Sequence, residues 1–321
     1  MIEYDEGIHL KETDLWFDSK KRVPLSFISS ASISQFSSHK KIIATPQTIR
    51  LLAKRVKNSL VLPCPFNRPF SLGKLQIELI PAGFILGSSQ VVVDLNETRL
   101  IYSGDIKLRH SDTSEHVVVR HCDILIMKCT YGKPGYVFPS TEDVMGSIRV
   151  FARSSLSSGY VPILLVNPLG KALDIIKVLG NEGFKLSLSK SIYNTLKIYE
   201  EFGFSFSNYE SFNPSRLQGK VLIVPPHLRT SDKIEGLENK KIGVVMGWAI
   251  DKRYSKSVFG ADEAFPMSNH AGYDELIQYV ELVRPKEVYL VQGFNTEFSR
   301  TLKKRGFNAK PLEKPTQLEL L

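Results

Sequence analysis

The sequence predicts a mixed α/β protein in which a strand-rich first part is followed by alternating strands and helices. Residues 74–80 alternate apolar and polar side chains with a period of two, which is typical of a half-buried strand. From about residue 145, continuous apolar strands alternate with segments of helical spacing, as in a parallel α/β unit. Hydrophobic residues make up 42% of the 321 residues, enough for one large or two ordinary domains.

The first 130 residues are predicted to be mainly strands. Residues 99–102 alternate in the same way as 74–80, and residues 91–95 precede a polar turn at 96–98, which predicts one arm of a hairpin. Residues 123–127 form a continuous apolar run after their first position. Such a run is typical of a strand that is buried on both faces.

The later elements follow the change in pattern. Buried strands are predicted at 161–166, 221–224 and 242–246, and a helix at 171–179. Residues 251–263 are rich in Lys, Gly, Ser and Asp, which predicts a linker back to the first domain. After this segment we expect an apolar helical stripe at Leu276, Ile277, Val280 and Val283, a strand at 288–291, and a basic helix from Phe298 to Gly306.

Charge and cysteine content exclude several classes of protein. The chain has 42 basic and 33 acidic residues, a net charge of +9, which fits a nucleic-acid partner or an ordinary solvated surface. Its three scattered cysteines form no disulfide framework or Cys-x-x-Cys metal motif. The acidic N-terminal segment does not resemble a signal peptide, and no apolar run reaches membrane-spanning length. We therefore expect a cytoplasmic protein without a membrane partner.

Six short segments carry the most specific information in the sequence. In chain order they are 81–90, 102–105 (Tyr-Ser-Gly-Asp), 128–132 (Lys-Cys-Thr-Tyr-Gly), 169–172 (Leu-Gly-Lys-Ala), 268–273 (Ser-Asn-His-Ala-Gly-Tyr) and 291–293 (Val-Gln-Gly). Together they resemble the metallo-β-lactamase-fold nucleases that carry a β-CASP insertion. The strongest likeness is to the short DNA-ligase-associated exonuclease branch, often labelled as related to messenger-RNA 3′-end processing factors. It extends from about Leu15 to Leu312.

This resemblance implies an α/β architecture, the metallo-β-lactamase αββα sandwich with an inserted β-CASP α/β domain. The implied domains are residues 1–145 and 262–321 for the metallo-β-lactamase-like domain and residues 146–261 for the insertion. In the family, two zinc ions activate a water molecule that attacks the phosphodiester, and the metals stabilise the developing charge.

The resemblance places a metal-binding loop at residues 27–36. Where the family carries three histidines and an aspartate, this chain has Ser30, Ser32, Gln35 and Ser34. Hydroxyl and amide groups are poor zinc ligands compared with imidazole, thiolate or carboxylate. The loop is therefore expected to have lost its metals.

The remaining family positions are mostly replaced as well. Phe84 and Gln292 stand where the family has metal-binding histidines, and Lys128 reverses the charge of an acidic position. Asp105, which bridges the two metals in the family, and His270 are retained. We expect no zinc or other cofactor, and we expect the Lys128 ammonium to pair with Asp105, with Phe84 and the serines closing the former cavity.

Four basic residues near the family's cleft are candidates for contact with nucleic-acid phosphates, namely Lys107, Arg109, Lys128 and Lys171. Gly170 and Lys171 lie between a predicted strand and helix, where a helix N-terminus offers amide groups to a phosphate. The segment lacks the other residues of a nucleotide-binding P-loop.

The sequence thus predicts a pseudo-nuclease, not an enzyme, that binds nucleic acid or docks an active nuclease, ligase or helicase. Two alternatives stay open at this point. One is an active metal-dependent nuclease with a rebuilt site, and the other is a purely structural subunit without affinity for nucleic acid.

Overall fold

The computed structural model describes residues 1–32 and 37–313, and its internal contacts divide the chain into two units. The first unit comprises Met1–Tyr136 and the chain from His270 onward, and the second comprises Val137–Asn269. These units change at 136/137 and 269/270, whereas the domain boundaries predicted from sequence were 145/146 and 261/262. The predicted boundaries stay a prediction.

The first unit contains a six-stranded sheet built from the N-terminal part of the chain. Its strands, in spatial as well as chain order, are β1 (Ile2–Tyr4), β2 (Ile8–Leu10), β3 (Leu15–Phe17), β4 (Leu25–Phe27), β5 (Lys41–Ala44) and β6 (Leu60–Pro63). The first two pairings are antiparallel, and β3 to β6 are parallel. Helix α1 (Pro46–Leu51) connects β5 to β6, and the Thr45 side chain caps its N-terminus.

A second, seven-stranded sheet in this unit draws on both parts of the chain. Its strands are β7 (Phe70–Leu72), β8 (Leu75–Pro81), β9 (Ser89–Leu95), β10 (Thr98–Tyr102), β11 (Ile124–Cys129), β18 (Glu287–Gly293) and β19 (Ala309–Pro311). They lie in the order β19-β18-β11-β10-β9-β8-β7. The strands from β10 to β19 pair in parallel, so their carboxyl ends meet at one edge of the sheet.

The two sheets enclose the main core of the first unit. Apolar side chains of β3 and β4 pack against those of β8, β9 and β10 in one cluster of buried residues. At its centre the Phe17 and Tyr102 rings are stacked with centroids 5.4 Å apart, and the Phe27 ring meets the Tyr102 ring edge-on at 6.3 Å. The period-two apolar pattern of the strands fills this layer.

Two helices cover the other face of the second sheet. They are α7 (Tyr273–Val283) and α8 (Asn295–Lys304). Val280 and Val283 of α7 and Phe298 and Leu302 of α8 are all buried against residues of β11 and β18. The helical spacing of these apolar residues therefore produces the helix layer on this sheet, as the sequence predicted.

The second unit is built around one parallel sheet. Its strands are β12 (Val161–Leu165), β13 (Leu186–Leu188), β14 (Tyr209–Ser211), β15 (Val221–Val224), β16 (Lys240–Met246) and β17 (Glu263–Pro266), in the order β14-β13-β15-β12-β16-β17. Its helices are α2 (Thr141–Ser157), α3 (Lys171–Asn181), α4 (Lys190–Glu201), α5 (Asp232–Glu235) and α6 (Lys252–Phe259). The central strands are almost wholly buried, as expected for a parallel sheet.

Most predicted elements are confirmed, and one prediction was wrong. The hairpin of β9 and β10 has the expected turn at residues 96 and 97, and Leu95 pairs with Thr98. The segment 251–263, predicted as a linker from its polar composition, instead contains α6 and the first residue of β17. Lys, Arg and Ser residues are compatible with a helix, and only Gly260 interrupts the segment. Within residues 1–32 and 37–313, no helix has the length and apolar content to span a membrane.

Candidate functional site

The candidate site lies where strands of both sheets in the first unit end. Lys128 is the fifth residue of β11, and Asp105 follows the end of β10. Asp18 comes directly after β3, and Ser29 follows the end of β4. The parallel pairings of β10 with β11 and of β3 with β4 align these ends. Side chains far apart in the sequence therefore converge at one edge.

Lys128 lies between two buried carboxylates. Its Nζ atom is 2.9 Å from Asp18 Oδ2 and 3.1 Å from Asp105 Oδ2. The side chains of Lys128, Asp18 and Asp105 are 5%, 3% and 13% exposed, so the ammonium and both carboxylates are largely shielded from solvent. The predicted pairing of Lys128 with Asp105 is present, and Asp18 is a second partner that the sequence did not indicate.

Asp18 is held by several donors besides the lysine. Its Oδ1 accepts the Ser29 backbone amide at 2.8 Å, and its Oδ2 accepts the Ser29 hydroxyl at 2.6 Å and the Tyr102 hydroxyl at 2.7 Å. Asp18 has a backbone φ of 45°, a left-handed conformation that aspartate adopts more readily than most residues. An aspartate placed directly after an apolar strand was the only signal for this residue in the sequence.

Asp105 joins the lysine to His270. Its Oδ1 atom is 3.0 Å from His270 Nδ1 and accepts the Thr130 hydroxyl at 3.4 Å. The turn before it requires Gly104, which has a φ of 58° and packs so closely on Ser29 that a Cβ atom there would lie 2.6 Å from the Ser29 Cβ. The two retained family positions are therefore in direct contact.

Burial and neighbouring charges shift the pKa values of Asp105 and Lys128 in opposite directions. Burial by itself would raise the pKa of Asp105, but the charge of Lys128 and the hydrogen bonds from His270 and Lys128 outweigh it and hold that pKa well below its usual range. Burial by itself would lower the pKa of Lys128, and the two carboxylates instead raise it well above its usual value. Lys128 is thus ammonium and Asp105 is carboxylate at neutral pH.

Aromatic rings close the site next to His270. The Phe84 ring is 3% exposed, and its centroid lies 4.5 Å from that of the His270 ring. The Tyr131 ring meets the same imidazole edge-on with centroids 5.9 Å apart. Phe84 thus fills space beside His270 with apolar surface and offers no ligand atom, as expected from the sequence.

In the described part of the chain, Ser30, Ser32 and Gln292 form no hydrogen bond with Lys128, Asp18 or Asp105. Ser30 is buried and its hydroxyl accepts the Ser32 amide at 3.4 Å, while Ser32 is exposed. Ser34 and Gln35 lie outside the described residues. Gln292 is exposed, because the pairing of β11 with β18 skips one residue there: Lys128 pairs with Val291 and Cys129 with Gly293.

The basic residues expected to contact phosphate are mostly buried. Lys107, Lys128 and Lys171 are 2%, 5% and 7% exposed. Arg109 is within 3.4 Å of both Asp274 and Glu275. Lys107, Arg109 and Lys128 belong to the first unit, and Lys171 begins α3 in the second unit. Their burial and ion pairing argue against direct phosphate contact in this conformation, because a phosphate would first have to displace existing neighbours.

Comparison with known families finds one matching domain. Residues 263–310 match the domain described as "Zn-dependent metallo-hydrolase RNA specificity domain". The match covers β17, α7, β18 and α8, and ends within β19. It therefore includes His270 and Gln292 of the candidate site.

Several known proteins are similar over most of the chain. A "Probable DNA ligase" of Opitutus terrae is 32% identical over 99% of this chain and 32% of its own length. "RNase aCSPSF2" of Saccharolobus solfataricus is 22% identical over 71% of this chain and 54% of its own length. "DNA cross-link repair 1A protein" of Homo sapiens is 20% identical over 80% of this chain and 26% of its own length. This chain thus spans about a third of the ligase relative.

One solved structure with a similar fold is that of a protein of unknown function from Enterococcus faecalis. It superposes with a TM-score of 0.60 over 85% of this chain and 76% of that chain, at 12% sequence identity. The likeness supports the mixed α/β architecture described above.

Removing the lysine charge is expected to destabilise the first unit strongly. Lys128→Met leaves the Asp18 and Asp105 carboxylates buried without their cation, which costs about 3–5 kcal/mol of unfolding free energy. The measurement is urea unfolding followed by circular dichroism. Lys286→Met is the control, since Lys286 is 81% exposed in its ion pair with Asp123 and an exposed pair of this kind contributes much less to stability than a buried one. A triple variant that also carries Asp18→Asn and Asp105→Asn should regain much of the loss. Equal stability of Lys128→Met and wild type would contradict this account.

The network is also expected to fail in acid. A carboxyl whose folded pKa lies below its unfolded value stabilises the fold above the unfolded pKa, near 3.9, and loses this contribution as the pH falls. Below about pH 4, Asp105 therefore contributes a decline of about 1.4 kcal/mol per pH unit. Asp105→Asn should therefore show a smaller decline in unfolding free energy than wild type when urea unfolding is measured between pH 5 and pH 2. Asp94→Asn, which removes a carboxylate from an exposed pair with Arg99, should keep the wild-type slope.

Proposed function

Because this chain belongs to the metallo-β-lactamase-fold nucleases with a β-CASP insertion, we propose that it is a catalytically degenerate member of that family. Its role in this proposal is to bind nucleic acid, or to dock a partner, during DNA or RNA processing. The observation that carries the proposal is the Lys128 ammonium, placed 2.9 Å from Asp18 and 3.1 Å from Asp105 at the carboxyl ends of the strands.

Electrostatic repulsion supports the proposal that the Lys128 ammonium takes the place of a metal ion. A dication about 4 Å from an ammonium is repelled by roughly 8 kcal/mol at an effective dielectric constant near 20. The same ammonium already balances one of the two carboxylate charges. A metal at this edge would therefore have to displace Lys128 and leave a cation without an anion.

The donor atoms around the site also do not fit the two zinc ions of the family. Asp18, Asp105 and His270 supply two carboxylates and one imidazole, which is fewer donors than two zinc ions need, and the Lys128 ammonium lies between the two carboxylates. Phe84 supplies only carbon, and Gln292 is exposed. Within the described part of the chain, no three histidine, cysteine, aspartate or glutamate residues are grouped as metal ligands. We derive no hydrolytic step from this arrangement.

The names of the relatives support the processing context. They are a probable DNA ligase, a DNA cross-link repair protein and an RNase. A sequence of this kind thus forms about a third of a longer chain named as a ligase. We propose that a ligase or an active nuclease is the partner where this protein docks rather than binds nucleic acid itself.

An active nuclease with a rebuilt site is the second candidate, favoured by the contact between Asp105 and His270. It differs from the pseudo-nuclease in a single measurable property, the cleavage of a phosphodiester. Metal-dependent cleavage that disappears in Asp105→Ala would establish it and overturn the first proposal.

We expect the purified protein to retain no stoichiometric zinc or manganese when both are supplied during purification, because Lys128 occupies the position between the carboxylates. Elemental mass spectrometry measures the content, and thermal unfolding with and without added metal should give the same midpoint. A content of two metal ions per chain would show that other residues supply ligands.

We also expect wild-type protein to bind oligonucleotides in a salt-dependent manner. If it contacts three or four phosphates, affinity should fall by at least about tenfold between 50 and 200 mM salt, since bound counterions are released. Fluorescence anisotropy with labelled single-stranded and duplex oligonucleotides is the measurement. Absence of binding at low salt would leave the partner-docking or purely structural role.

A further inference from the structure

One basic segment of the chain lies near its C-terminal end, and another, residues 19–77, has eleven basic and no acidic residues. Residues 284–310 contain seven basic and two acidic residues, a balance of +5 against +9 for all 321 residues. The segment includes β18, α8 and the first two residues of β19 and lies wholly in the first unit. A positive excess of five charges thus lies on less than a tenth of the chain.

Helix α8 displays part of this charge on one outward face. Phe298 and Leu302 are fully buried, and the Ser299 hydroxyl donates to the Ala309 carbonyl at 2.9 Å, so these residues attach the helix to the sheet. Arg300, Lys303 and Lys304 have spacings of three and four residues and are all exposed. At 100° per residue they point away from the buried side. We name these three residues the α8 basic face.

The cations of the α8 basic face differ from their basic neighbours in pairing. Arg305 pairs with Glu281 at 2.8 Å, and Lys310 pairs with Glu287 at 3.5 Å. Arg300, Lys303 and Lys304 make no ion pair with any residue in the ranges 1–32 and 37–313. Like charges at these spacings repel one another by about 0.2–0.5 kcal/mol per pair in a helix. A bound polyanion would relieve that repulsion.

The cations at the candidate site are in the opposite situation. Lys107 and Lys128 are buried, and Arg109 is paired with two carboxylates. A phosphate therefore meets accessible positive charge on α8 and not beside Asp105. The buried cations balance internal charge, while the exposed ones remain for an external anion.

We infer that the α8 basic face binds the phosphate backbone of a nucleic acid. The inference rests on the nucleic-acid-binding role proposed above and assigns it to Arg300, Lys303 and Lys304 outside the candidate site. Three side chains that reach phosphates from a helix surface recognise charge and spacing, not base edges. Binding through this face is therefore expected to be independent of base sequence and strongly dependent on salt.

The test is a triple variant, Arg300→Gln, Lys303→Gln and Lys304→Gln, in the full chain. Glutamine has nearly the helix propensity of lysine and arginine, so the fold should be kept, as circular dichroism and thermal unfolding will verify. The matched control is Lys54→Gln, Lys57→Gln and Arg68→Gln, three exposed basic residues of the same unit that remove the same charge. Fluorescence anisotropy across a salt series measures binding to a 20-nucleotide DNA, its duplex and the equivalent RNA.

We expect the α8 variant to bind at least tenfold more weakly than wild type at 0.1 M salt. Its log–log salt slope should be smaller by about two to three, because three phosphate contacts are lost. The control variant should stay within about threefold of wild type, since general attraction without contact is screened at this salt. Comparison of the DNA and RNA arms identifies which nucleic acid the face prefers.

The possible failures are distinguishable. If the wild type binds no oligonucleotide at low salt, the nucleic-acid role itself is wrong, and the inference fails with it. If the wild type binds and both triple variants lose affinity equally, net charge and not the α8 basic face is responsible. Unchanged affinity of a folded α8 variant would place the interface elsewhere.

Discussion

The first unit depends on the balance of charge among side chains that are largely shielded from water. Asp18 and Asp105 lie at the ends of strands from two different sheets, and Lys128 stands between them. An unpaired buried carboxylate costs several kcal/mol, which is comparable to the whole stability of a domain. The lysine therefore stabilises each carboxylate and, through them, joins the two sheets at this edge.

The surrounding architecture serves this balance. Tyr102 contributes to the core through its ring, stacked on Phe17, and to the network through its hydroxyl, bonded to Asp18. The left-handed turn at Gly104 brings Asp105 back toward the same point. Because core packing and charge balance share these residues, a loosened core would also separate the ion pairs. The site is in this sense a structural centre of the first unit.

Local patterns were sufficient for part of the fold, and the family resemblance for half of the network. Periodicity located strands β8 to β12, β15, β16 and β18 and helices α3, α7 and α8, whereas β1 to β7, α2 and α4 were not assigned individually. The charge reversal at Lys128, which the resemblance implies, indicated a pairing with Asp105. The role of Asp18 was not predicted, because its hydrogen bond with Tyr102, 84 residues away, forms only when the two sheets face each other. No local sequence pattern encodes that arrangement. The burial of Lys107 was not predicted for the same reason, because a lysine in a loop belongs to no periodic pattern that would indicate burial. The helix at 252–259 was missed because its composition is that of a polar linker.

The network also constrains how the site can change. Returning an acidic residue at position 128 alone would bring three carboxylates together without any cation, where like charges oppose ionisation. Returning a histidine at Phe84 alone would add one ligand while the ammonium still excluded a dication. Each single step toward a metal site is therefore unfavourable while Lys128 remains, and removing Lys128 first leaves two buried anions unpaired. Single substitutions toward a metal site are thus unfavourable while Lys128 and its two carboxylates stay together, and on the function proposed above a phosphate contact is retained more readily on a surface that is independent of this network.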